Sequence, residues 1–313
     1  IWFNEMNNIE IRGCKDINEL KDVLKVCDNA FDNTPYEYSE RHLFKDKTLS
    51  MENTRILIDN NKILSTIQVF PRKMYLRNKI YNFGGIGNVA TLPEYQNRGY
   101  ASMLMKNTID YMRESQFPFS LLTTTINHYY EKFGYKTIVR QKFNFTLDRP
   151  YNTNNIRIFI PQKDFEIVRK IYSDFNENLI GPFYRNEVYW NSQLDFCGED
   201  RNMFLVKEVN GKVVAYIRAI QKEQIIQIME FAANDNYNQL FFELVSALAL
   251  KSGIKNFTIY LSNDLLNIIK LSNYTFQTDT DLMILFLDKD FEEQYKALLL
   301  QDNIITFWLS DFF

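Results

Sequence analysis

The sequence predicts an α/β protein with mixed sheets, divided into two domains of similar plan. The chain has 313 residues, of which 46% are hydrophobic and 15% aromatic, enough for two packed cores at about 150 residues per domain. Segments with the pattern of strands alternate with segments whose apolar residues repeat at helical spacing. The same order of elements occurs twice, once in each half.

The first half begins with a strand, a capped helix start and a helix within residues 9–31. A hairpin follows, with a strand at residues 55–58 and Asn residues in its turn at 59–62. Residues 87–92 form a further predicted strand, which Pro93 ends because proline has no N–H. The apolar residues of the next helix are Met103, Leu104, Ile109 and Met112.

The second half repeats this order. Residues 157–179 can be laid over residues 9–31, and residues 204–212 form a second predicted hairpin. The remaining segments of the copy are a strand over residues 225–232, a helix over 238–251, a strand over 257–261 and a helix over 264–271. The polar residues 148–155 separate the halves, so we predict domains at residues 1–150 and 151–313.

Charge and composition argue against several classes of protein. The net charge is −3 and no basic patch is evident, so we expect no nucleic-acid partner. An apolar stretch such as residues 244–250 is far shorter than the ~20 residues of a membrane span. There is no signal-peptide pattern, and Cys14, Cys27 and Cys197 lack metal-site spacing. We expect a cytoplasmic protein without a membrane partner or a metal; the aromatic content is compatible with a homo-oligomer.

The most informative segment is the turn at residues 96–101, between the predicted strand and its helix. The first turn of a helix leaves N–H groups unpaired and carries the positive end of the helix dipole, so both bind a phosphate placed there. Gly99 and Ala101 leave room for phosphates to approach, and Arg98 adds a charged donor. The segment predicts a pyrophosphate site.

Two motifs in this region resemble those of the GCN5-related N-acetyltransferases (GNAT). Residues 96–101, QNRGYA, resemble the acyl-CoA pyrophosphate motif Q/R-x-x-G-x-G/A, and residues 130–135, YEKFGY, resemble the segment Y-E-K-x-G-F/Y. Residues 84–95 further resemble the Eis-like branch, whose aminoglycoside-acetylating members join two GNAT domains to a sterol-carrier-like domain. The resemblance implies two tandem domains, each a mostly antiparallel twisted sheet flanked by helices; we expect the third domain to be lacking.

The resemblance also implies that acetyl-CoA is the co-substrate. Main-chain groups of Val89 and Thr91 would pair with its pantetheine arm, and Asn127 would bond that arm or cap a helix. The residues assigned to acyl-CoA are Val89, Ala90, Thr91, Gln96, Asn97, Arg98, Gly99, Tyr100, Ala101, Ser102 and Asn127. At the corresponding residues 238–242 the second half has neither glycine nor arginine, so we expect it to be a degenerate copy that packs on the first.

Two groups are candidates for proton transfer. The departing CoA thiolate needs a proton, and by motif position Tyr130 donates it; the alternative is a tyrosine that only packs in the core. In the Eis-like branch the C-terminal carboxylate enters the active site, which makes the Phe313 carboxylate the candidate base. The alternative for the apolar residues 304–313 is an edge strand that covers apolar surface. Gly84, Gly85 and Gly87 suit a distorted strand whose N–H groups stabilise the oxyanion.

The acceptor is predicted less directly. In this fold the loop between the first two helices borders the acceptor site, and here it offers carboxylates and aromatic rings that suit a cationic amine, although acidic loops are often only solvated. The residues predicted to bind the acceptor are Asp28, Phe31, Asp32 and Tyr36. The predicted function is transfer of an acetyl group to a primary amine of an aminoglycoside- or polyamine-like acceptor; peptide or protein amines are the alternatives.

Three other functions fit less well. A non-catalytic acyl-CoA binding or sensing module would retain residues 96–101 without a working proton donor. Residues 85–90 fit a dinucleotide fingerprint, but its glycines should open a helix, whereas these continue as a strand. A transferase that uses aminoacyl-tRNA predicts a basic groove and no CoA site, the opposite of what the sequence offers.

Overall fold

Two mixed sheets flanked by helices form the protein, which confirms the predicted fold class. The computed structural model describes residues 9–31, 36–196 and 201–313. In chain order the first elements are β1 (Ile9–Gly13), α1 (Ile17–Ala30), α2 (Tyr36–Phe44), β2 (Thr54–Asp59), β3 (Lys62–Leu76), β4 (Lys79–Thr91), α3 (Tyr100–Glu114), β5 (Phe119–Thr123), α4 (Asn127–Glu131), β6 (Lys136–Thr137) and β7 (Arg140–Thr146).

The second half continues this alternation of strands and helices. Its elements are β8 (Ile156–Ile158), α5 (Pro161–Asn176), β9 (Ile180–Phe183), α6 (Glu187–Phe196), β10 (Phe204–Val209), β11 (Lys212–Lys222), β12 (Ile225–Ala233), α7 (Tyr237–Ser252), β13 (Asn256–Tyr260), α8 (Asn263–Ile269), β14 (Tyr274–Asp279), β15 (Leu282–Phe286) and α9 (Lys289–Leu299). None of the described helices is both long and apolar enough to cross a membrane.

The two halves exchange strands. The first sheet has the order β1-β2-β3-β4-β5-β15-β6, and β9 pairs with the far end of β3. The second sheet has the order β14-β7-β13-β12-β11-β10-β8. Strand β15 of the second half therefore lies between β5 and β6, and β7 of the first half lies between β14 and β13. The division of the chain into two domains at residue 150 remains a prediction. Each sheet contains a strand from the other half, so hydrogen bonds within each sheet join residues on both sides of position 150.

The internal repeat has a different register from the predicted one. Arg12 makes a bidentate ion pair with Glu19, with nitrogen–oxygen distances of 2.8 and 2.7 Å. Arg157 makes the same pair with Asp164, seven residues further along, at 2.6 and 2.8 Å. Arg157 is thus the counterpart of Arg12, and laying residue 157 over Ile9 was wrong by three residues. In both halves the pair ties the first strand to the helix that follows.

The first sheet is covered on both faces. On one face, residues of α1 and α3, among them Met112, form a core with Ile86 of β4. On the other face, α9 and the segment after it form a second core, which includes Phe70, Phe83 and the ring of Phe313. The segment from residue 304 onward is mostly buried but contains no strand, only a short 3-10 turn at Leu309–Asp311, so its interpretation as an edge strand was wrong.

Candidate functional site

A β-bulge interrupts the long hairpin of β3 and β4. Thr66 pairs with Ala90 and Gln68 pairs with Gly87, so two residues of β4 face one residue of β3. One of the two, Asn88, has a φ of +47°, in the left-handed region. A bulge of this kind bends the strand and changes the direction of its main-chain groups.

Strands β4 and β5 separate just before the bulge. Their parallel pairing extends only over Gly84, Gly85 and Ile86. Beyond Ile86 the main chain of β4 remains bonded to β3 on one side, while on its other side it pairs with no strand of the described chain. The gap leaves main-chain groups of β4 available to an extended ligand, which could lie there as another strand would.

A cavity of about 530 Å³ opens where the strands separate. This volume lies within the range that is usual for small-molecule sites. Its walls come from the end of β4, the turn before α3, the first turn of α3, and α4. The lining residues are Val89, Thr91, Tyr95, Gln96, Asn97, Gly99, Tyr100, Ala101, Ser102, Ile126, Tyr129, Tyr130 and Lys132.

The start of helix α3 faces this cavity without a side-chain cap. Gly99 is its N-cap residue, with a φ of +86° that favours glycine, and no side chain of the described residues caps the N–H groups of the first turn. A Cβ atom added to Gly99 would meet no atom within 4 Å, so the space in front of the helix is open. Unpaired N–H groups and the positive end of a 15-residue helix suit a bound anion.

The counterpart of this helix start in the second half is the start of helix α7. Leu240 and Phe241, in the first turns of α7, are buried. The Asn238 amide donates to the carbonyl oxygen of Ile269 at 2.5 Å. Within the described part of the chain the start of α7 also lacks a side-chain cap, but its N-cap residue is Asn236 and its first turn contains no glycine.

Tyr130 reaches the same cavity from helix α4. Its side chain is 6% exposed and packs edge to face against Tyr129, with ring centroids 5.0 Å apart. Burial raises the pKa of the Tyr130 phenol above its usual range, which keeps it protonated at neutral pH. No group in the described part of the chain hydrogen-bonds the hydroxyl. Tyr130 is therefore a protonated phenol free to donate to a ligand.

Lys132 is a lining residue that the sequence reasoning missed. Its ammonium group lies 3.2 Å from the Ser102 hydroxyl and 3.8 Å from the centre of the Tyr129 ring. It therefore places a positive charge at the helix start where the anion is expected. The sequence contained a signal for it, because this lysine is part of the YEKFGY segment. Tyr95 and Ile126, which also line the cavity, lie in no such motif.

Three residues predicted to bind the co-substrate do not line the cavity. Arg98 donates to the carbonyl oxygen of Glu94 at 3.0 Å and lies over the Tyr95 ring. Ala90 is buried in the sheet. The Asn127 amide donates to the hydroxyl of Thr137 at 2.9 Å and the carbonyl oxygen of Thr280 at 2.8 Å, so it ties α4 to the connection between β14 and β15.

Phe313 lies on strand β4 next to the bulge. A Cβ atom on Gly85 would lie 2.5 Å from its ring, and one on Gly87 would lie 3.3 Å from its carbonyl carbon. The ring packs against Phe70, with centroids 5.3 Å apart. Phe313 and Tyr130 belong to cores on opposite faces of the first sheet, so they approach the strand from its two sides.

The predicted acceptor residues are described only in part. Asp28 is exposed near the end of α1, and Phe31 is half-buried against the first core. Asp32 lies outside the described residues, and so does the side chain of Tyr36. Asp28 and Phe31 do not line the cavity described above, and their role in acceptor binding remains a prediction.

Metal ligands and reactive thiols are not evident near this cavity. Within the described ranges, no group of three or more His, Cys, Asp or Glu residues is placed to hold a metal ion. Cys14 and Cys27 are buried free thiols. Burial raises the pKa of each to about 12, which keeps them protonated; Cys197 lies outside the described residues.

Comparisons with known proteins agree with this geometry. Residues 10–138 match the family model described as Acetyltransferase (GNAT) domain, the range that contains the bulge, the helix start and Tyr130. No protein with a curated description is significantly similar in sequence. The prediction of an N-acetyltransferase is thus confirmed at the level of this domain.

Several solved structures share the fold of nearly the whole chain. A probable N-acyltransferase of unknown function from Enterococcus faecalis V583 is 17% identical with a TM-score of 0.73, over 91% of this chain and 74% of its own. A GCN5-related N-acetyltransferase from Kribbella flavida is 15% identical with a TM-score of 0.72, over 90% and 71%. Eis1 from Mycobacterium abscessus is 13% identical with a TM-score of 0.65, over 90% and 74%. The chain thus carries a GNAT acetyltransferase domain within a two-sheet fold that solved N-acetyltransferases share.

Proposed function

We propose that the protein transfers the acetyl group of acetyl-CoA to a primary amine of a small cationic acceptor, of aminoglycoside or polyamine type, by direct attack in a ternary complex. One observation carries the proposal. Residues at the gap beside β4, residues at the uncapped start of α3 and Tyr130 all line one cavity. A thioester co-substrate needs these three features together: a strand-like partner for its arm, an anion site and a proton donor.

The residues present fit acetyl-CoA, which would supply the activated acyl group. The N–H groups at the start of α3 would bind the pyrophosphate, and the Lys132 ammonium, 3.2 Å from the Ser102 hydroxyl, adds a positive charge there. Main-chain groups of Val89 and Thr91 would pair with the pantetheine arm. The thioester would then lie at the bulge, where β4 leaves β5.

The bulge would polarise the thioester carbonyl. As the amine nitrogen bonds to the carbonyl carbon, negative charge develops on the oxygen, and main-chain N–H groups near Asn88 would stabilise it. Collapse of the intermediate breaks the carbon–sulfur bond. Tyr130 would give its proton to the departing thiolate and regain one released by the amine. The products are an acetylated amine and free CoA.

The attacking amine must also lose a proton to a base. A terminal carboxylate on Phe313 would take the amine proton through water, and the Phe313 carbonyl carbon lies within 3.3 Å of a Cβ position on Gly87. Deleting the last two residues should then lower turnover and leave acetyl-CoA affinity intact. The variant Phe313→Ala keeps a carboxylate without the ring, so it separates the loss of the carboxylate from the loss of packing.

The second half would be a degenerate copy that supports the first. The matching ion pairs of Arg12 with Glu19 and Arg157 with Asp164 support a duplication, and the likeness to Eis1 supports an Eis-like tandem arrangement. The buried free thiols of Cys14 and Cys27 fit a cytoplasmic location. A homo-oligomer remains a prediction.

Release of free CoA from acetyl-CoA tests the proposal. Polyamines, aminoglycosides and peptides would each be added to the wild type and to Tyr130→Phe. We expect amine-dependent release that falls about 100-fold in the variant, because general acid catalysis contributes at least that factor, with unchanged acetyl-CoA affinity. Tight binding of acetyl-CoA without release on any amine would instead favour an acyl-CoA binding or sensing module.

A further inference from the structure

A pair of buried side-chain amides lies at the bulge. Asn88 is 8% exposed and Gln68, opposite Gly87 on β3, is 1% exposed. The Asn88 Nδ2 atom donates to the Gln68 Oε1 atom at 2.6 Å. Buried amides are costly unless their hydrogen bonds are satisfied, so their remaining groups should have partners as well.

Those partners belong to helix α2. The Gln68 Nε2 atom donates to the carbonyl oxygen of His42 at 3.3 Å, and the Ser39 hydroxyl lies 3.4 Å from the Asn88 Oδ1 atom. Ser39 and His42 are three residues apart and so lie on the same face of the helix. His42 is in the last turn, where carbonyl groups have no partner within the helix. The two amides therefore connect α2 to the bulge.

The choice of asparagine at position 88 is informative. Its left-handed backbone, with a φ of +47°, would be adopted more easily by glycine. Glycine already occupies positions 84, 85 and 87 of the same strand. A glycine at 88 would form the bulge equally well but would have no side chain to reach Gln68. The backbone conformation at position 88 does not require the Asn88 side chain, whereas the hydrogen bond to Gln68 does.

We propose that Asn88 and Gln68 are positioning residues that hold α2, which follows the predicted acceptor loop, at a fixed place relative to the bulge. The inference rests on the proposed function, in which the bulge polarises the thioester, and on the prediction that the loop before α2 borders the acceptor site. Loss of the link would leave acetyl-CoA binding intact and impair the alignment of the amine. Losing the link should therefore change the KM of the acceptor amine and not the affinity for acetyl-CoA.

The variant Asn88→Gly removes the link and retains the left-handed backbone. Asn78→Gly is the matched control, because Asn78 has a φ of +63° in the exposed turn of the same hairpin. Gln68→Met, which keeps the side-chain size without polar atoms, tests the link from its other end. Hydrogen exchange in residues 36–44 reports on α2 whether or not an acceptor is known.

We expect faster exchange in residues 36–44 of Asn88→Gly and Gln68→Met, while the exchange of α3 stays as in the wild type. With an amine from the panel, the acceptor KM should rise about tenfold, the equivalent of one lost hydrogen bond, and acetyl-CoA affinity should stay within about twofold of the wild-type value. Equal exchange of α2 in Asn88→Gly and Asn78→Gly would overturn the proposal. So would an equal loss of affinity for acetyl-CoA and for the amine. If no amine is acetylated, the proposed function fails and the exchange result still decides whether the link exists.

Discussion

Replacing Asp311 with Asn should lower the free energy of unfolding by about 3–5 kcal/mol, the usual result of breaking a buried ion pair. Asp311 receives two hydrogen bonds from Arg185, at 2.9 Å from Nε and 2.7 Å from Nη2. Arg185 is also paired with Glu230, and all three side chains are at most 1% exposed. Arg218 adds a second buried positive charge, 3.7 Å from Glu230.

The magnitude follows from the balance of charge in this cluster. Among the described residues, this cluster joins two arginines to two carboxylates, and neutralising Asp311 removes one of the two carboxylates that pair with the buried Arg185. The asparagine keeps the shape of the side chain, so the loss reflects charge and not packing. The Tyr189 hydroxyl, which donates to Asp311 at 2.9 Å, would also lose a charged acceptor.

Urea unfolding followed by circular dichroism measures the effect. Asp110→Asn is the matched control, because Asp110 pairs with Arg113 at 3.1 Å on the surface, with side chains 65% and 51% exposed; its loss should change the free energy by less than about 0.5 kcal/mol. A loss below about 1 kcal/mol in Asp311→Asn would refute the reasoning. Since Asp311 lies two residues before Phe313, the same variant should also lower turnover if Phe313 acts in catalysis.

Three further predictions concern stability and the co-substrate. Burial, with the charges of Arg72 and Arg41, lowers the His42 pKa to about 3. Below about pH 6.5 the unfolded chain therefore binds a proton at this histidine and the folded protein does not, so the free energy of unfolding should fall by about 2 kcal/mol between pH 6.5 and 5. Urea unfolding of His42→Gln over the same pH range should show a smaller fall. Gly85→Ala should destabilise by about 1–3 kcal/mol, since its Cβ would lie 2.5 Å from the Phe313 ring, and by less in a Phe313→Ala background. Lys132→Gln should weaken acetyl-CoA several-fold in calorimetry, whereas S-acetyl-pantetheine, which lacks the pyrophosphate, should bind as before.

Local motifs predicted a set of residues most of which the structure brings together around one cavity. Gly99 and Tyr130 lie in two short segments, each with its own motif, and both residues line the same cavity. The glycines of β4 indicated a distorted strand, but not that the bulge would fall at Asn88. The position of a bulge depends on pairing with β3, which the pattern of β4 alone does not contain.

The exchange of β7 and β15 between the sheets could not be predicted in this way. Strand β15 is short and apolar, whereas β7 is mostly polar apart from Phe143 and Phe145. Neither pattern states which sheet the strand should join. The predicted alignment of the two halves was wrong for a related reason. A shift of three residues is close to one helical turn, so it leaves the apolar faces of α1 and α5 nearly aligned. The spacing of Arg12 and Glu19, repeated by Arg157 and Asp164, would have fixed it.

The buried cluster around Arg185 also had no signal in the sequence. Arg185, Glu230 and Asp311 are far apart in the chain, and each alone resembles an ordinary surface charge. They meet because β9 pairs with β3 and the last segment of the chain returns between the sheets. Contacts of this kind depend on the complete fold and not on any local pattern.

Calorimetric titration of acetyl-CoA against the wild type, Ala101→Gln and Ala101→Glu tests the central claim most directly. Ala101 lies in the first turn of α3 and lines the cavity. We predict binding to the wild type, weaker binding to the glutamine variant because of its size, and a further loss of at least about tenfold in the glutamate variant, whose carboxylate would repel the pyrophosphate. Equal affinity in all three proteins would contradict the claim that acetyl-CoA binds at this helix start.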